Sequence, residues 1–167
     1  IVFLINGLPL VVGEAKTPAR SAVTWFDGAY QVNEIYEKQV PAMFVPNVFS
    51  FATEGRMFRY GSIRMPIDMW GPWRDEENQE EGQLQHVKAA VASMLRPEVV
   101  LDMMQSFTLF ATDKKRRRIK LISRYQQYSA ANQIVDRVMR GYPKKGLIWH
   151  FQGSGKSLLM VFAAQKL

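Results

Sequence analysis

Asn6-Gly7 stands between two short apolar runs, Ile1 to Ile5 and Leu8 to Val12, and this pair constrains the fold more than any other feature of the chain. Asparagine and glycine readily take positive φ at both centres of a two-residue turn, so the stretch is predicted to be a β-hairpin with both strands buried. The second strand continues into Gly13-Glu14-Ala15-Lys16. Side chains on a strand alternate between faces, which places Leu8, Leu10, Val12, Glu14 and Lys16 on one face, with Glu14 about 6 to 7 Å from Lys16. A carboxylate and an ammonium leave the core together.

Two readings of that pair are open. One is a surface ion pair at a strand end, which contributes little. The other is a metal-dependent phosphodiesterase centre. There Glu14 would hold a divalent cation through oxygen, and Lys16 would orient the attacking hydroxide or stabilise the charge developing at phosphorus. Such a centre needs a second carboxylate. The position facing Glu14 falls two residues before Ile1 on a strict two-residue turn, and immediately before Ile1 on a three-residue loop.

With 167 residues, nearly half of them apolar, the chain can bury one sizeable core or one domain and the start of another. The absence of cysteine excludes a disulfide framework and thiolate metal sites. A formal charge of +7 favours a polyanionic partner, although moderately basic proteins without one are common. No apolar run reaches the roughly 20 residues needed to span a bilayer. A chain that opens in a strand and closes in a helix reads as a fragment, with no targeting segment to interpret.

After Pro18, Ser21 or Thr24 can cap a helix marked by Val23, Phe26, Tyr30 and Asn33 to Tyr36, ending before Pro41. Gln31 and Tyr36 on it could reach the carboxylate, or Tyr36 could be a core ring with a wet hydroxyl. Val48 to Thr53 and Met57 to Gly61 form a second predicted hairpin that extends the first sheet. Arg56, Arg59 and Arg64 along it could meet phosphates or form the basic solvent face of an outer strand. Met65 to Trp73 reads as an ordered loop, and Asp75 to Gln85 as an exposed acidic one. Leu84, Val87, Val91 and Leu95 recur at helical spacing, Pro97 opens another helix through Val100 and Met104, and Phe107 to Phe110 reads as a strand. The five cations Lys114 to Arg118 mark a composition shift, taken as a domain boundary.

Beyond the boundary, Gly146 to Phe151 is predicted to be a buried strand, followed by the loop Gln152-Gly153-Ser154-Gly155-Lys156-Ser157 and an apolar helix from Leu158 to Leu167. This order suits phosphate binding. Glycines let the amides of Ser154 to Ser157 converge on an anion at the helix N-terminus, Lys156 reaches the terminal phosphates, and Ser157 can ligate magnesium. Upstream, Ile134, Val135, Val138 and Met139 mark an amphipathic helix preceded by Arg124-Tyr125-Gln126-Gln127-Tyr128. The amide of Gln126 or Gln127 could read an adenine edge, or either could be plain surface.

IVFLINGLPLVVGEAK at residues 1–16, RYQQY at 124–128 and GLIWHFQGSGKSLLM at 146–160 together resemble the restriction subunit, motor and endonuclease, of type I restriction-modification enzymes. The resemblance implies an α/β fold: a PD-(D/E)xK-type mixed sheet flanked by helices over residues 1–112, a basic linker over 113–123, and the first elements of a RecA-like superfamily 2 motor over 124–167. It further implies Glu14 and Lys16 as nuclease residues, an Asp just before the position of Ile1, and Gln127 as the likeliest adenine contact. Gly153, Ser154, Gly155, Lys156 and Ser157 would hold ATP, with Mg2+ at Glu14 and Ser157. The family often carries a Q-x-x-x-Y element after its nuclease core. Here Gln31 and Tyr36 are one residue further apart, and Val32 occupies the matching position. The implied partners are double-stranded DNA and the methylation and specificity subunits, in a bacterial or archaeal cytoplasm and without a membrane. A DNA-remodelling or regulatory ATPase whose nuclease-like domain only grips DNA is the competing expectation.

Overall fold

The computed structural model describes residues 1–20, 22–74, 81–113 and 115–167. Ser21, Asp75 to Glu80 and Lys114, which figure in the predicted cap, acidic loop and cation run, lie outside the described residues. The architecture is mixed α/β, with a four-stranded sheet in the order β1-β2-β3-β4, a separate two-stranded ribbon, and helices packed on the sheet.

The predicted hairpin is present as β1 (Val2–Ile5) and β2 (Leu8–Ala15), with Asn6 at φ 50° and Gly7 at φ 78°. Ile5 pairs with Leu8 and Leu4 with Pro9, but Phe3 then pairs with Val11 and Val2 with Val12, so Leu10 is the extra residue of a β-bulge. The bulge corrects the predicted face. Leu10 and Val11 both enter the larger core, while Val12 enters the smaller one on the other side of the sheet. It also settles the register: Gly13 N–H donates to Ile1 O at 2.8 Å, so the position immediately before Ile1 would face Glu14 even though the turn has two residues. A second correction concerns β1, predicted to be buried. Val2 is 43% and Leu4 62% exposed, because among the described residues β1 has a neighbouring strand on one side only.

β3 (Phe49–Thr53) joins β2 in parallel, and β4 (Phe58–Gly61) returns antiparallel across Gly55. The register sorts the two faces. Val11, Phe49, Phe51, Phe58 and Tyr60 enter the larger core, while Val12 and Ala52 meet the smaller one with Ala29, Val32, Phe44 and Trp70. Glu14, Ala52 and Arg59 lie in one cross-strand row and therefore share the smaller core's face. At Gly13 any Cβ would strike the Phe51 ring, which is why the strand carries glycine there.

The parallel β2–β3 pairing requires a crossover, and the chain supplies a continuous helical segment: α1 (Trp25–Tyr30), a π-helix (Gln31–Tyr36) and α2 (Glu37–Gln39). Thr24 N–H donates to Asp27 Oδ2 at 2.7 Å where the helix starts. Gly28 lets α1 lie close on the sheet, since a Cβ there would stand 3.3 Å from Ala52 Cβ and 3.4 Å from Glu14 O. Trp70 and Trp73, in the predicted ordered loop, are both buried.

α3 (Leu84–Met94) and α4 (Pro97–Ser106) pack Val87, Ala90, Met94, Val99, Val100 and Met103 into the larger core. β5 (Thr108–Thr112) pairs with β6 (Arg118–Ile122), an unpredicted strand that falls within the stretch expected to be a linker. α5 (Tyr125–Arg140) starts well before the predicted apolar positions, and it buries Gln127, Ala130 and Ala131 while Val138 and Met139 are exposed. α6 (Lys156–Lys166) buries Leu159, Phe162 and Ala163, with Phe162 against Phe107 and Lys166 in an ion pair with Asp102 at 2.6 Å. The larger core thus runs from β2 through α6. Gly146 to Phe151, predicted to be a buried strand, has no strand conformation, and Trp149 is 88% exposed. A strand of that kind is held by neighbours on both sides, and among the described residues nothing pairs with 146–151.

Candidate functional site

Glu14 and Lys16 emerge from β2 beneath the crossover helix, with side chains only 19% and 21% exposed. Lys16 Nζ donates to Glu14 Oε1 at 3.0 Å and also to Gln31 Oε1. Tyr36 Oη donates to Glu14 Oε2 at 3.4 Å, a long contact that leaves this oxygen weakly held. The structure therefore brings Glu14, Lys16, Gln31 and Tyr36 together.

The π-helix accounts for the spacing of the last two. Residues on one face of an α-helix recur at three or four positions, whereas each π turn takes in one more. Because Gln31–Tyr36 is π-helical, the two polar groups both meet the Glu14–Lys16 pair although five positions separate them, and Val32 turns inward, fully buried, under Trp70 and Ala52. No feature of the local sequence announces the inserted residue.

Next to Tyr36, Glu37 Oε2 accepts the Arg64 backbone N–H at 3.0 Å, while its Oε1 is buried without a partner. Burial raises its carboxyl from 4.5 to about 7, outweighing the Arg64 hydrogen bond. The folded state thus favours the protonated form, so this contribution to stability is complete below about pH 4.5 and is lost as pH rises through about 7. Glu37→Gln is expected to raise the melting temperature at pH 8 and to flatten its dependence on pH between 5 and 8. An unchanged thermal profile across that range would contradict it.

At the other end of the chain, Gly153 and Gly155 take φ 84° and 79° and curl the loop ahead of α6. Ser154 Oγ is buried with no hydrogen-bond partner. Lys156 Nζ donates to His150 O and Phe151 O, both at 3.0 Å, and Ser157 is exposed beside it. Gln127 does not lie open to a base. Its Oε1 accepts the Arg124 N–H at 2.9 Å and its Nε2 donates to Ser154 O at 3.3 Å and Gly155 O at 3.0 Å, so it braces the glycine loop against α5. Gln126, the other candidate, is exposed. Among the described residues no three His, Cys, Asp or Glu side chains gather as a metal cluster, and no helix is long and apolar enough to cross a membrane.

Both ends of the chain match known families. Residues 1–66 match the family described as type I restriction enzyme R protein N terminus, and residues 126–167 match the SWI2/SNF2 ATPase family. The HindI endonuclease subunit of Haemophilus influenzae, a type I restriction enzyme, is 34% identical across the whole chain, which spans 17% of that protein's length. The Methanocaldococcus jannaschii chain assigned to type I restriction enzyme MjaVIIIP is 29% identical over 96% of this chain and 16% of its own. The Staphylococcus aureus (strain COL) endonuclease subunit SauCOLORF180P is 26% identical over 100% of this chain and 17% of its own. Over its whole length, the chain is a relative of the endonuclease subunits of type I restriction enzymes.

Proposed function

We propose that residues 1–112 form a PD-(D/E)xK nuclease core and that residues 124–167 open a RecA-like ATP-driven DNA motor, with 113–123 between them. In this reading the full-length protein translocates and cuts unmodified double-stranded DNA together with methylation and specificity subunits. The convergence of Glu14, Lys16, Gln31 and Tyr36 carries the proposal, because a surface ion pair has no need of two polar groups delivered by a π-helix.

Glu14 suits a hard cation: its Oε2 has one long contact, and the register would set a carboxylate immediately before Ile1 across from it as a second ligand. Mg2+ there would polarise the scissile phosphate and lower the pKa of bound water. Lys16 sets its ammonium beside the reacting phosphorus, where negative charge grows. Gln31 fixes the Lys16 ammonium, and Tyr36 orients the Glu14 carboxylate.

The glycine loop suits a nucleotide. The orphaned Ser154 Oγ and the left-handed Gly153 and Gly155 lie in the loop at the N-terminus of α6, where backbone amides favour an anion. ATP with Mg2+ would supply the phosphoanhydride whose hydrolysis drives translocation. Lys156 would exchange its two carbonyls for the terminal phosphates, Ser157 would face the metal, and Gln127 would hold the loop's shape.

Plasmid cleavage by the full-length protein tests the nuclease half. Gln31→Ala is expected to slow cutting about 10- to 100-fold, the usual cost of losing a group that orients a metal-site residue. A wild-type rate would return Gln31 to the surface.

A further inference from the structure

Arg59 sits on the reactive face of the sheet, and a carboxylate holds it there. In the row Glu14–Ala52–Arg59, adjacent strands lie about 4.8 Å apart, so the Arg59 and Glu14 backbones are about 10 Å apart on one face. The sequence left Arg59 between a phosphate contact and a basic solvent face. Its side chain is only 11% exposed and turns inward, with the guanidinium 5.6 Å from the centre of the Trp25 ring. It makes a bidentate pair with Glu81, through Nη1 at 2.7 Å and Nη2 at 2.9 Å, and Nη1 also donates to Phe58 O at 2.9 Å. Arg74 binds the same carboxylate, Nη2 at 2.5 Å and Nε at 3.1 Å, and Arg56 lines the cleft that contains Glu81 and Arg74. Hydrogen bonds from Arg59 above all hold the Glu81 carboxyl below its usual range.

A planar guanidinium that grips a carboxylate with two parallel bonds presents the same fork to a phosphodiester. We propose that Arg59, with Arg74 and the Trp25 ring, is a subsite for a DNA backbone phosphate next to the cleavage centre, and that Glu81 fills it as an internal phosphate mimic until DNA displaces it. The separation suits this. The axial rise is about 3.4 Å per nucleotide and the phosphates also wind around the axis, so 10 Å corresponds to about one or two phosphates along the strand from the scissile bond. The subsite rests on the nuclease reading above, since it needs DNA to lie across Glu14 and Lys16.

The test is binding of the full-length protein to a non-specific duplex by fluorescence anisotropy over a range of salt concentrations, with melting temperatures recorded in parallel. Glu81→Gln is expected to tighten binding several-fold at low salt, because it releases the fork without removing it. Arg59→Ala is expected to weaken binding and to make the slope of log K against log salt shallower by about one unit, the signature of one lost phosphate contact. Arg59→Lys should fall between, keeping the charge but not the fork. The double variant Arg59→Ala/Glu81→Gln leaves no unpaired charge between these two positions and should bind like Arg59→Ala, which guards against a folding defect. Unchanged affinity and slope throughout, with lower melting temperatures, would make the cluster a structural ion triad and overturn the proposal, as would weaker binding by Glu81→Gln. Plasmid cleavage by Glu14→Ala reports separately on the nuclease reading, so its failure is distinguishable from failure of the subsite.

Discussion

Glu14→Ala in the full-length protein is expected to slow DNA cleavage about a thousandfold or more while leaving DNA-stimulated ATP hydrolysis near the wild-type rate. The magnitude follows from the proposed role. Removing a metal-holding carboxylate forfeits several kcal/mol of transition-state charge stabilisation, and each 1.36 kcal/mol is about tenfold in rate. The selectivity follows from the fold. Glu14 lies on the face of the smaller core, whereas the glycine loop is carried by α5 and α6, which pack into the larger core on the opposite face. Folding should survive, because Glu14 stands at the C-terminal end of β2 and its side chain meets polar partners, Lys16 and Tyr36, outside the two apolar cores. Supercoiled plasmid cleavage and phosphate release, measured on one preparation, decide the matter. Full cleavage by the variant would reduce Glu14 and Lys16 to a surface ion pair. A wild-type protein that binds DNA without cutting it would favour the competing reading, a nuclease-like domain that only grips.

How much of this was legible in the sequence differs from element to element. Asn6-Gly7 determined the hairpin because few residues other than Asn and Gly tolerate two successive positive φ angles, and the structure has them there. The bulge at Leu10 was not legible. One apolar residue is inserted into an apolar run, so the alternation carries no trace of it, yet it moves Leu10 to the other face and sets what stands opposite Glu14. The inserted residue in the crossover helix was hidden in the same way: Gln31 and Tyr36 look misplaced on an α-helical count and fall together only on a π turn. For Arg59, a usable signal existed. Phe58 and Tyr60 flank it, and two aromatics at i and i+2 turn the middle residue to the opposite face, which is that of Glu14. β6 was obscured by the cations around it, although Ile119 and Leu121 alternate with Arg118 and Lys120 as a strand should.

The glycine-loop segment departs from its sequence reading for a different reason. Its local signals, an apolar run, glycines and a helix, predicted strand, loop and helix, and the loop and α6 formed as expected. The strand did not, since strand conformation is held by hydrogen bonds to neighbours, and among the described residues none flanks 146–151. Gln127 shows the converse. A glutamine upstream of a glycine loop suggested an adenine contact, but its amide is used on Arg124, Ser154 and Gly155, partners that become neighbours only when α5 lies against the loop.

Lys156→Ala in the full-length protein is expected to abolish both ATP hydrolysis and cleavage. Lys156 starts α6, where the backbone amides already favour an anion, and its ammonium rests on the His150 and Phe151 carbonyls, which are weaker partners than phosphate oxygens. It is exposed. Removing such a charge from the terminal phosphates should slow hydrolysis at least about a hundredfold, as for other groups that stabilise transition-state charge. Lys156→Arg should not rescue it, because a planar fork does not replace a compact ammonium in a glycine loop. Cleavage should fall with hydrolysis, since in the proposed enzyme the nuclease acts after the motor has moved along DNA. The measurement is ATP turnover and plasmid cutting by complexes assembled with the methylation and specificity subunits. If turnover disappears and specific cutting persists, Lys156 serves the nucleotide alone and the proposed coupling between motor and nuclease is wrong.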